Sequence, residues 1–223
     1  MIEKVDLLPS NFNFTGTGRF EYPNDFLTVH TTTDTDHANS LFRNVFYTHD
    51  GWPRVKASGV DCEHRTLPGY HTPGCIQAFS DLTAEVINFS CPTLRAEHYP
   101  DWLVYYLRDA ELLKFGFGVE NDVKMLANIG MTGMAGFVRA DDIVLWHYRN
   151  VAAQTYLGIE RILHYGGGGW EVEVLNQRRR KYASIDAQLS LECVREVSRL
   201  MTPAQRAEAQ KYQAANSYHI AHV

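Results

Sequence analysis

Two carboxylates, Asp61 and Glu63, stand two residues apart at the end of the apolar run Val55 to Glu63. That run reads as a strand, and side chains at i and i+2 of a strand leave from the same face. The two acids therefore stand side by side on a surface that the rest of the strand would bury. Charged groups on such a face need a reason, because an unpaired buried charge is costly.

Two further segments carry acids at comparable junctions. Phe115-Gly116-Phe117-Gly118-Val119 is a short apolar stretch interrupted by glycine, and Asp122 follows it at the opening of an amphipathic segment holding Val123, Met125, Leu126 and Ile129. Gln177 to Arg199 has helical spacing, with Tyr182, Ile185, Leu189 and Val197 recurring. Residues four apart on a helix are neighbours, so Tyr182 and Asp186 share a face. If the fold brings Asp61, Glu63, Asp122 and Asp186 together, four like charges repel one another unless cations sit among them. Oxygen-only ligation favours Mg²⁺ or Mn²⁺ over zinc. Two such ions about 4 Å apart can clamp the attacking and leaving oxygens of a phosphodiester displacement.

The order of these motifs resembles the DnaQ-like 3′-to-5′ exonucleases of the DEDDy subgroup. The second motif, Gly116-Phe117-Gly118-Val119-Glu120-Asn121-Asp122-Val123-Lys124-Met125-Leu126, and the third, Lys181-Tyr182-Ala183-Ser184-Ile185-Asp186-Ala187, are most similar to the Werner-exonuclease-like branch. The resemblance extends over about residues 26 to 200. It implies an RNase H-like α/β fold with a central mixed β-sheet flanked by helices. It also implies that Asp61, Glu63 and Asp186 hold the ion that activates water, that Asp61 bridges to a second ion, and that Asp122 supports that second ion through water. Tyr182 would orient the attacking water, a phenol being a poor base at its ordinary pKa near 10. The 3′-to-5′ direction comes from the resemblance alone. A second resemblance, to small plant exoribonucleases of the RISC-interacting clearing type, rests on Val29-His30-Thr31-Thr32-Thr33 and the compact length. It implies an RNA substrate, an Argonaute-type partner and a ring-like homo-oligomer. His64 departs from the Werner-like pattern, which often has an aromatic there. Gln77 lies where family members place substrate-facing residues and is left outside the site set.

Competing readings are a catalytically silent nucleic-acid-binding or scaffold domain and a DNA-repair exonuclease. A scaffold has no need of Asp61, Glu63, Asp122, Tyr182 and Asp186 together. Asp109-Ala110-Glu111 also has the Asp-x-Glu form, yet it falls in Tyr99 to Leu112, which reads as one helix, where positions two apart do not face each other. Those acids read as a solvated face.

A net charge of −5 looks unfavourable for holding a polyanion. The four site carboxylates account for most of it, and two divalent ions would offset them. Locally the balance reverses, since Arg178-Arg179-Arg180-Lys181 opens the helix that carries Tyr182 and Asp186. Cations at a helix start oppose its dipole, so the run is a candidate phosphate contact for single-stranded RNA or DNA, with a solvated basic turn the competing reading.

The remaining sequence is that of one domain. Three segments are expected: an N-terminal arm over residues 1–25, the exonuclease-like domain over 26–201, and a C-terminal helix and tail over 202–223. Strands are expected at Phe26 to Thr33, Val55 to Glu63, Gly74 to Phe79, Glu85 to Phe89 and Leu113 to Val119. Helices are expected at Asp36 to Phe46, Tyr99 to Leu112, Asp122 to Ile129, Asp142 to Ala152 and Thr155 to Tyr165. The strand holding Asp61 must neighbour the strand before Asp122 if their acids are to meet. Thr202, Pro203 and Gln205 form a capping-box pattern for a last helix. Cys62, Cys75, Cys91 and Cys193 form no Cys-x-x-Cys pair, so neither disulfides nor zinc are expected, and His219 and His222 read as incidental. Gly166 to Gly169 lacks the Lys-Ser/Thr of a phosphate-binding loop and reads as a mobile loop. No run has the length of a membrane span and the N-terminus lacks a signal pattern, from which a soluble protein of the cytoplasm or nucleus is expected.

Overall fold

The computed structural model describes residues 2–6, 26–65, 71–91, 95–140, 170, 175–205, 207 and 211. The expected helices between 142 and 165, the Gly166 to Gly169 run, and His219 and His222 lie outside them. Within the described residues a seven-stranded mixed sheet runs in the order β1-β2-β5-β4-β3-β6-β7. The strands are β1 (Ile2–Asp6), β2 (Phe26–Thr32), β3 (Ala57–His64), β4 (Pro73–Ser80), β5 (Glu85–Ser90), β6 (Leu113–Gly116) and β7 (Phe137–Arg139). The helices are α1 (Thr35–Phe46), α2 (Asp101–Arg108), α3 (Val119–Asn128) and α4 (Gln177–Leu200). None of the described helices is long and apolar enough to cross a membrane.

The centre of the sheet is the meander expected from the turns. β3, β4 and β5 pair antiparallel in succession, and β3 also pairs parallel with β6. That parallel pairing is what the convergence of Asp61 and Asp122 requires. At the other edge β2 runs parallel to β5. Within the arm expected over residues 1–25, Ile2–Asp6 adds to β2 as an antiparallel edge strand. The open edge of β2 supplies the partner for this strand.

Two apolar layers follow from strand alternation. On one face Val60, Cys62, Ile76, Ala78, Ile87 and Phe89 pack with Phe42, Phe46, Leu103, Tyr106, Leu107, Val123 and Leu126 from α1, α2 and α3. On the other, Phe79, Val86 and Phe115 pack with Ile185, Ala187, Leu189 and Leu191 of α4. Gly59 is what lets α4 lie so close. A β-carbon there would fall 1.8 Å from the Ala187 carbonyl oxygen, far inside any contact distance. The absence of a side chain on β3 sets the depth at which α4, and with it Asp186, sits over the strand.

α2 stops at Arg108, short of the expected Leu112, where a local turn is held in place by tertiary contacts. The Asp109 carboxylate accepts from the Glu111 backbone N–H at 2.9 Å and from the Tyr47 hydroxyl at 3.2 Å, an Asx-type turn that competes with helix. Lys114, fully buried, donates from Nζ to the carbonyl oxygens of Tyr106, Asp109 and Leu112 and lies over the Tyr106 and Phe137 rings. Burial lowers its pKa to about 7, opposed by Asp109. An ammonium has three donors for three carbonyls, so this side chain satisfies the end of α2. Asp109 therefore belongs to a turn held by Tyr47 and Lys114, and its resemblance to a catalytic motif is incidental. The capping box also forms: the Thr202 backbone N–H donates to Gln205 Oε1 at 2.9 Å, and the Gln205 N–H to Thr202 Oγ1 at 3.3 Å.

Candidate active site

The acids read from the sequence come from three elements. Asp61 and Glu63 leave the α4-facing side of β3, while Val60 and Cys62 point into the opposite core. Asp186 comes down from α4. Asp61, Glu63 and Asp186 each offer a carboxylate oxygen within 4.8 Å of the others, and all three are half-buried. Asp122 stands outside that group of three. It lies in the first turn of α3, is only 4% exposed, and its Oδ2 has no hydrogen-bond partner.

α3 begins earlier than expected, at Val119. Gly118 adopts φ +62° there, a left-handed conformation that glycine takes without steric cost. It ends β6 and turns the chain so that the first turn of α3 presents Asp122 beside the C-terminal end of β3. The position is favourable for an acid, since a helix N-terminus stabilises negative charge. Glu120, in the same turn, has its charge offset by Arg139 at 3.5 Å.

The electrostatics show a site short of positive charge. Burial, then Asp186, raises the pKa of Asp61 to about 7. Burial, then Asp61 and Asp186, raises Glu63 to about 9. Burial, then Asp61, Glu63 and Glu120, pushes Asp122 well above the usual carboxylate range. Carboxylates pushed toward their neutral forms by one another and by burial would be relieved by a cation placed among them. The donor set is all oxygen, and among the described residues no lysine or arginine pairs with Asp61, Glu63 or Asp122. These features fit a hard divalent cation.

Tyr182 stands one turn before Asp186 on α4 and is hydrogen-bonded to it. Burial and that bond, with Glu63 and Asp61 nearby, hold the phenol proton on far above neutral pH. Its ring rests against Trp170, centroids 6.1 Å apart, in a small apolar cluster with Cys75, Leu175 and Ala183. The sequence reading missed Trp170. The available signal was a tryptophan directly after four glycines, which carries no information about distance to Tyr182.

The basic run opens α4 as expected, and part of it has structural partners. Asn176 caps the helix, its Oδ1 accepting from the Arg179 backbone N–H at 2.9 Å. The Arg179 guanidinium lies 5.7 Å from the centre of the Trp170 ring, and Arg180 donates to the Leu175 carbonyl. The side chains of Arg178 and Lys181 lie outside the described residues. Cys62, Cys75, Cys91 and Cys193 are all buried and free.

No protein-family model matches the chain, and no curated protein matches it by sequence. Solved structures do match it. The catalytic core of RRP6 from Trypanosoma brucei superposes with a TM-score of 0.65 at 15% identity, over 83% of this chain and 50% of its own. RNase D from Escherichia coli, an exoribonuclease involved in structured RNA processing, gives 0.56 at 19% identity over 84% of this chain and 50% of its own. RNase D from Trypanosoma brucei, in complex with RNA U12, gives 0.60 at 15% identity over 82% and 68%. The chain spans about half the length of the first two. With its acids at the end of β3, the start of α3 and the inner face of α4, the chain has the RNase H-like, DnaQ-like α/β fold of these nucleases.

Proposed function

We propose that the chain is a divalent-metal-dependent 3′-to-5′ exonuclease of the DEDDy type that hydrolyses single-stranded nucleic acid, RNA in preference to DNA. The observation that carries this reading is the convergence of Asp61, Glu63 and Asp186 within 4.8 Å, with buried Asp122 close enough to raise its own pKa against theirs. A structural core gains nothing from such an arrangement, because each acid costs desolvation and repulsion. The RNA preference draws on the exoribonuclease and RNA-bound neighbours.

Asp61, Glu63 and Asp186 would hold the metal, with Asp122 at its margin. A pair of Mg²⁺ or Mn²⁺ ions would supply charge neutralisation at the phosphodiester and an acidified water. The protein's own part is placement. β3 fixes Asp61 and Glu63 on one face, and the α4 packing over Gly59 fixes Asp186 against them. Tyr182 keeps its proton, so it acts as a hydrogen-bond partner that orients the attacking water, not as the base. The ring contact with Trp170 holds it in place. Arg178 and Lys181 would add phosphate contacts at the start of α4.

The test is degradation of matched single-stranded RNA and DNA oligomers labelled at the 5′ end, run side by side in Mg²⁺ and Mn²⁺. The expected result is a ladder shortening from the 3′ end, faster on RNA, and abolished by EDTA. Internal cuts without a ladder would contradict the exonuclease assignment, and a faster DNA ladder would move the reading to DNA repair. Binding without cleavage in either ion would favour the silent-domain reading.

A further inference from the structure

Directly opposed residues on neighbouring strands project from the same face of a sheet. The register opposes Asp61 to Gln77, Gln77 to Asn88, and Asn88 to Thr31. A polar row thus starts at the acid cluster and crosses four strands beneath α4. Asn88 anchors it to the helix, its Nδ2 donating to Ser184 Oγ at 3.2 Å, two residues before Asp186. Gln77 lies between that anchor and Asp61.

Gln77 is the unusual member. It has 0% exposure, so it cannot face a substrate, and apart from a contact with the Cys75 thiol two residues before it on β4, neither its Nε2 nor its Oε1 has a hydrogen-bond partner. A buried amide whose hydrogen-bonding capacity is left largely unmet is destabilising, and methionine would fill the same volume without that cost. The cost makes sense if the amide has a partner in another state of the site. Opposed residues have β-carbons about 5 Å apart, which puts the Asp61 carboxylate within reach of the Gln77 amide. Carboxylates that hold metal ions are themselves oriented by outer hydrogen-bond donors.

We propose that Gln77 is a positioning residue for the metal site, its amide N–H donating to the Asp61 carboxylate and fixing that group toward Glu63 and Asp186 when a cation is bound. This rests on the catalytic reading above. The contribution lies in metal affinity, not in the stability of the metal-free chain.

The experiment compares wild type with Gln77→Met and Gln77→Asn, the latter keeping an amide but one methylene too short. Three quantities are measured: melting temperature in EDTA, Mn²⁺ affinity by the paramagnetic resonance signal of free ion, and kcat and KM on single-stranded RNA. Both variants are expected to bind Mn²⁺ about 10- to 100-fold more weakly, with KM for RNA unchanged and kcat recovered by excess Mn²⁺. Gln77→Met is expected to melt in EDTA at or above the wild-type temperature. Wild-type Mn²⁺ affinity in either folded variant overturns the proposal, as does a lowered melting temperature with unchanged affinity. A wild-type chain that binds no Mn²⁺ overturns the catalytic reading and this one together, whereas one that binds Mn²⁺ identically to both variants overturns this one alone.

Discussion

Asp186→Ala is expected to lose divalent-dependent degradation of single-stranded RNA by about 10²- to 10³-fold, the scale of removing a group that stabilises charge in the transition state, while remaining folded. Asp186 is the acid that α4 delivers to the pair on β3, and without it Asp61 and Glu63 are left without the third member of the cluster. The same substitution has a second, opposite effect on the metal-free protein. Free carboxylates have pKa values near 4, but in the folded chain Asp61 is raised to about 7 and Glu63 to about 9. Between pH 4 and 9 the folded state therefore binds protons that the unfolded chain has released. Stability falls with rising pH wherever the folded state binds more protons. The stability these acids lend as neutral groups is present near pH 4 and lost by about pH 9. Asp186 contributes to both shifts, so its removal makes the loss shallower. In EDTA, Asp186→Ala is expected to melt about 3 °C or more above wild type at pH 9, with the gap closing toward pH 5. A gap independent of pH, or a variant of undiminished activity, would remove Asp186 from the site.

Gly59→Ala carries the second large effect. Its new β-carbon would lie 1.8 Å from the Ala187 carbonyl oxygen, and neither atom can swing aside, one being fixed to a central strand and the other to a helix backbone. Relief requires α4 to lift from the sheet, which opens the packing of Phe79, Phe115, Ile185 and Leu191. Overpacking of this kind costs about 3 kcal/mol or more when backbone must move. Chemical denaturation is expected to show that loss. Any folded fraction should have Asp186 displaced by about 1 Å, enough for a roughly 10²-fold fall in activity. A Gly59→Ala protein with wild-type stability would show that α4 does not sit as deeply as described.

How much of this could be read from the residues depends on the range of the physics. Asp61 and Glu63 were legible because strand alternation is a local rule, and Tyr182 with Asp186 because helical spacing is another. The β3–β6 pairing was legible only as a condition for Asp61 and Asp122 to meet, and the register satisfies it. Long-range contacts were not legible. Nothing in the string places Trp170 against Tyr182, sets Gly59 beneath the Ala187 carbonyl, or opposes Gln77 to Asp61. The early stop of α2 was hidden for the same reason, since Lys114 reaches back to its last carbonyls only once β6 is in the sheet.

The central claim is that acids distant in sequence converge to hold divalent cations, and counting the ions tests it most directly. Titration of the metal-free chain with Mn²⁺, read as free ion by paramagnetic resonance, is expected to show about two ions bound per chain, the number of a two-metal site, with binding lost in Asp61→Ala. A titration in which wild type and Asp61→Ala both leave the added Mn²⁺ free would contradict the account.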